Sequence, residues 1–133
     1  MERSLALIGQ TADSGRVRDI AGAFVVLWAT AEKQGKAKQT VVRLAASWQA
    51  GVIAAYAALF VPGAIDELVI LDPPISHRFG PHFLNVLRVL DIPEALGCLA
   101  PRKLTLVNAK DPAFDRTVEI YRRAGAADKI ERR

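Results

Sequence analysis

The 133 residues have room for one domain, and a hydrophobic share of 51% excludes a disordered chain. The formal net charge is +4, yet the basic residues are scattered. Their one cluster, Arg122, Arg123, Lys129, Arg132 and Arg133, is interleaved with Asp128 and Glu131, so it reads as a solvated helix and tail, and nucleic-acid binding is not expected.

In chain order, Leu5 to Ile8 is a short apolar run ending at Gly9 and reads as a buried strand. Asp13 or Ser14 can cap the helix that follows, Arg16 to Gln34, in which Val17, Ile20, Phe24, Leu27 and Ala31 share a face and Gly35 is the stop. Residues 40–45 supply a second strand through Val41, Val42 and Leu44. Ala45, Ala46 and Ser47 are small and mark a tight turn. A helix begins at Trp48, with Val52, Ala55, Tyr56, Leu59 and Phe60 at helical spacing. Gly51 lets this helix approach the strand closely.

After Val61-Pro62-Gly63, residues 67–72 form a third strand, ended by Pro73-Pro74. Residues 75–100 are a long, lid-like excursion between strands. Within it Phe83, Val86, Leu87 and Leu90 predict a short amphipathic helix, Asp91-Ile92-Pro93 a break, and Glu94 to Leu99 a further helical turn. Cys98, the one cysteine, lies in the apolar stretch ALGCLAP, where packing is expected. With a single thiol there is neither an internal disulfide nor a thiolate metal site, which suits a reducing cytoplasm. Residues 103–108 are a fourth strand. A last helix buries Phe114, Val118 and Tyr121, and residues 129–133 can begin a fifth strand.

Strands alternating with helices imply an α/β fold: a three-layer sandwich around a mainly parallel sheet of four to five strands. The N-terminal residues lack the pattern of a signal peptide, and the apolar runs stop well short of the ~20 residues of a membrane span. The expected location is cytoplasmic, away from membranes.

The strand, turn and helix of residues 40–60 have the shape of a nucleophile elbow. Together with AGVIAAYAALF, LDPPISH, GPHFLNVLRVLDIPEALG, LAPRKLTLVNAKDPAFDRT and IYRRAGAADK, they give a chain that resembles acetylxylan-esterase-like and dienelactone-hydrolase-like α/β-hydrolases from Thr40 to Asp128. The resemblance implies that these strands are the fourth to seventh of an eight-strand sheet, with the eighth begun at Lys129. It implies no counterpart for the first three, so the Leu5–Ile8 strand must either move into the third strand's place, between the fourth and fifth, or leave an exposed sheet edge, which invites a second copy of the chain, a homodimer.

Ester hydrolysis needs a nucleophile, a base, an orienting acid and an oxyanion hole. By the resemblance, Asp111 stands where the family carries its acid; it can equally cap the helix that starts near Pro112. Aligning Gly51 with the last glycine of the family's Gly-x-Ser-x-Gly-Gly pattern places Trp48 at the serine position. Ser47 is one residue early, with Gln49 where glycine is wanted, and capping of the helix is its simpler role. The family's histidine would follow the eighth strand, leaving His77 and His82 as candidate bases or as hydrogen-bonded loop residues. Asp72, His77, His82 and Asp111 match no zinc spacing, so no metal or cofactor is expected. Ser76, His77, Arg78 and His82, with nearby helix N-termini, favour a small ester or anionic ligand. The leading expectation is a reduced hydrolase-like binding domain without an intact triad. The alternative is a small ester or lactone hydrolase using Ser47, His77 or His82, and Asp111.

Overall fold

A computed structural model describes residues 9–36, 40–63 and 65–133. The strand expected at Leu5–Ile8 lies outside them. The described residues contain one sheet of four strands, β1 (Arg43–Ser47), β2 (Glu67–Leu71), β3 (Lys103–Val107) and β4 (Ile130–Arg132). They are ordered β1-β2-β3-β4 and all parallel. With its helices this is the small α/β three-layer class that the alternating pattern implies. No helix among the described residues is long and apolar enough to cross a membrane.

Helix α1 spans Ala12–Lys33. Its cap is Thr11 rather than Asp13 or Ser14. The Thr11 hydroxyl accepts from Ser14 N–H at 3.0 Å and the Ser14 hydroxyl accepts from Thr11 N–H at 2.9 Å, a reciprocal capping box. Val17 and Phe24 are buried, whereas Leu27, expected on the same face, is exposed. Gly35 ends the helix region at φ +67°.

β1 starts later and ends later than the sequence implies. The backbone of Val42 is engaged by Asp66, whose carboxylate accepts its N–H at 2.8 Å and whose N–H donates to its carbonyl at 2.9 Å. The parallel ladder therefore begins at Arg43. Ala45, Ala46 and Ser47 are strand, not turn. The whole reversal into α2 (Trp48–Phe60) falls on Trp48, at φ +51°. Seven residues of α2 are buried, from Gly51 through Ala58 with Tyr56 half-buried. A Cβ on Gly51 would stand 2.4 Å from Ile70 Cγ2, so this glycine sets the distance between α2 and β2.

The core is formed by Val52 and Ala55 of α2, Leu68 and Ile70 of β2, and Leu104 and Leu106 of β3, joined by Leu96 and Phe114. The alternate strand positions carry an ion-pair row in register. Glu67 takes Arg43 and Lys103 at 2.8 Å each, from directly opposite positions on the neighbouring strands.

Two expectations for residues 75–100 are corrected. Asn85 adopts φ +59°, which breaks the anticipated amphipathic helix and leaves a single 3-10 turn, Val86–Arg88. Asp91-Ile92-Pro93 starts a helix rather than breaking one. α3 spans Ile92–Gly97, with Asp91 and Glu94 in a capping box and Pro93 in the first turn, where no N–H is needed. Cys98 follows this helix and is exposed, not packed. α4 (Asp115–Arg123) buries Thr117 and Tyr121. Their hydroxyls donate to the carbonyls of Pro93 at 2.8 Å and Arg102 at 2.9 Å, fastening α4 to the start of α3 and the entry of β3.

Candidate functional site

In an open parallel sheet, ligands bind beyond the carboxyl ends of the strands. Here Ser47, Leu71 and Val107 stand level across three strands. The next residue of each, Trp48, Asp72 and Asn108, is left-handed, at φ +51°, +49° and +58°. Aspartate and asparagine adopt this region readily because their short side chains bond locally, and the Asn108 amide indeed donates to the Asp72 carboxylate at 3.0 Å. Tryptophan has no such compensation. Its large side chain is 56% exposed at the turn, where an elbow would present its nucleophile.

Ser47 is the last residue of β1 and is exposed. Its hydroxyl makes no capping bond to α2, so the capping role expected of it is not filled. No hydrogen bond joins it to either histidine among the described residues. Gln49, in the first turn of α2, donates instead to the Phe79 carbonyl at 2.8 Å. It also lies against Gly80, where a Cβ would meet its amide nitrogen at 2.4 Å.

His77 is buried, and three bonds hold it. Its N–H donates to Asp91 Oδ1 at 2.8 Å. Nδ1 lies 2.8 Å from the Pro81 carbonyl, which can only accept, so Nδ1 carries the proton. Nε2 then accepts from the Tyr56 hydroxyl at 2.9 Å. The ring packs edge-on against Phe83, centroids 5.5 Å apart, and Phe83 in turn packs on Tyr56 at 4.7 Å. Burial pushes the Tyr56 phenol well above its ordinary range, with the charge of Asp91 adding to it, so the hydroxyl stays a donor. Both nitrogens of His77 are thus engaged within the fold.

His82 has an exposed side chain, and its N–H donates to Asp13 Oδ2 at 2.8 Å. Asp13 is buried and also takes Arg16 at 2.6 Å, tying the start of α1 to the loop after His77. Asp111 is exposed and caps the 3-10 turn Pro112–Phe114, accepting from Ala113 N–H at 2.8 Å. This is the capping role, and it leaves the second oxygen of Asp111 facing solvent. The loop is held from below by Arg132 of β4. Its guanidinium donates to the carbonyls of Ala109, Lys110 and Asp111 and pairs with Asp115.

The structure therefore places Ser47 at the carboxyl end of β1 and Asp111 beyond that of β3, and sets His77 into a packed aromatic cluster. Asp72, His77, His82 and Asp111 do not gather: among the described residues no three metal-ligating side chains meet. The sequence reading missed Tyr56 as the partner of His77, Asp13 as the anchor of residue 82, and Arg132 as the clamp of the Asp111 loop. The only available signal was weak, a buried-face tyrosine in α2 and a histidine two elements later.

A hollow lies to one side, between α1, α2 and residues 83–90, with a volume of about 710 Å³ and an almost wholly apolar lining. A smaller one, about 260 Å³, lies between His77, His82 and Arg88. No family model, no curated protein and no solved structure matches the chain.

Proposed function

We propose that this chain is a binding domain on an α/β-hydrolase-like scaffold whose hydrolytic triad is not intact. One observation carries the reading: Trp48 occupies the left-handed turn between β1 and α2. A residue with no nucleophile stands where an elbow presents one. The engagement of both His77 nitrogens by Pro81 and Tyr56 supports it, because a general base needs one free to take a proton. The outer edge of β1 supports the expected homodimer, since it carries no partner strand among the described residues.

The test is turnover of a short-chain nitrophenyl ester by wild type, Ser47→Ala and Trp48→Ser. Wild type and Ser47→Ala are expected to be equally inactive. Turnover by wild type that Ser47→Ala abolishes would establish the competing reading, an ester hydrolase built on Ser47, His77 or His82, and Asp111.

A further inference from the structure

The hollow between α1, α2 and residues 83–90 falls within the span of small-molecule sites, about 300–1,000 Å³. Its walls are Val17 and Ala21 of α1, Tyr56 and Phe60 of α2, and Phe83 and Val89 beyond β2. Two of these are left strongly exposed, Phe60 at 71% and Val89 at 82%. Covering such side chains is favourable by roughly 25 cal/mol per Å² of apolar surface removed from water. The back wall is fixed in advance. Tyr56 packs on Phe83 at 4.7 Å, and its hydroxyl points away to His77.

The polar groups of the lining are few and unequal. The Ser14 hydroxyl is engaged in the cap of α1. Asn85 makes no side-chain hydrogen bond among the described residues. Arg18 is the one charged residue of the lining. Its neighbour Arg16 pairs with Asp13, but Arg18 has no carboxylate partner among the described residues. An arginine at the mouth of an apolar groove matches a carboxylate joined to an aliphatic tail, since its fork of N–H donors fits a carboxylate's two oxygens. An extended peptide fits less well, because the walls are helices and loop with no sheet edge to pair its backbone.

We infer that this groove binds a medium-chain fatty carboxylate, with the tail against Phe60, Phe83 and Val89 and the headgroup at Arg18. The inference rests on the binding-domain reading and gives it a ligand class. The two fail separately: ester turnover would overturn that reading without touching the groove, and an empty groove would leave the inactive elbow as it stands.

The test is calorimetric titration with decanoate, kept below its micellar concentration, and with decanol. Arg18→Glu and Ala21→Phe are compared with wild type after their thermal midpoints show that both fold. Wild type is expected to bind one decanoate per chain. Arg18→Glu is expected to lose affinity for decanoate about tenfold or more, the worth of a charge-assisted bond, and to keep its affinity for decanol. Ala21→Phe, which fills the groove, should weaken both ligands. Absence of saturable binding, or equal losses for decanoate and decanol in Arg18→Glu, would overturn the proposal. So would co-sedimentation with phosphatidylglycerol vesicles in place of one-to-one binding, which would make the surface a lipid-facing one.

Discussion

His77 shows how a residue with catalytic chemistry becomes part of a framework. Its two ring bonds and one backbone bond link β2's exit loop to α2 and to the cap of α3. His77→Phe would keep an aromatic ring while leaving the Tyr56 hydroxyl and the Pro81 carbonyl without their His77 partner. The expected loss is about 1–3 kcal/mol in urea unfolding, the cost of buried polar groups without partners. Asp91 gives a pH-dependent counterpart. Burial works against its charge, but hydrogen bonds from Ser76 and from the N–H groups of His77 and Ile92 together outweigh this and hold its carboxyl below the usual range. A depressed folded value means that the stabilisation is complete above the unfolded value of about 3.9. It is lost as the pH falls through the folded value. Asp91→Asn, which keeps the cap but not the charge, should therefore cost about 1 kcal/mol between pH 6 and 8, the difference between charge-assisted and neutral hydrogen bonds. That gap should close below about pH 4, and unfolding curves at stepped pH check it.

β2, β3 and the main helices were legible in the sequence because each depends on local patterning: apolar runs, helical spacing and Gly or Pro stops. What was not legible depends on single backbone angles and on distant partners. The turn at 45–47 was inferred from small side chains, whereas one left-handed tryptophan makes the reversal. The helix at 83–90 was inferred from apolar spacing, and Asn85 at φ +59° interrupts it. The candidate site was legible only in part. Asp111 lies where the strand ending places it, but the bonds of His77 to Tyr56 and of residue 82 to Asp13 span 21 and 69 positions. Spacing along the chain carries no sign of either. Gly51, by contrast, was read correctly as a close-approach residue. Gly51→Ala should cost about 1–3 kcal/mol by overpacking against Ile70. Because the obstructing atom is the branched Cγ2, Ile70→Leu should recover part of that loss in the double variant. A loss that is simply additive would mean that the contact does not set the spacing.

At the scale of the molecule, β1 carries no partner strand on its outer side among the described residues, and Val41 at its entry is 64% accessible. Edge pairing of two copies about a two-fold axis would bury both. Sedimentation equilibrium should then give twice the 14.4 kDa mass, and Val41→Lys should return the monomer; a monomeric wild type would overturn the dimer. The order β1-β2-β3-β4 has a separate consequence, for how the sheet is made. Among the described strands, each joins the outer side of the one synthesised before it, and none has to be inserted between two that are already paired. Assembly can therefore follow the ribosome, with β1 and β2 able to pair before Lys103 has left it. The addition of β4 brings Arg132 to the carbonyls of residues 109–111 and so latches that loop to the sheet. A released chain truncated before Ile130 should accordingly protect the amides of β1 and β2 while leaving the Asp111 loop open to proteases.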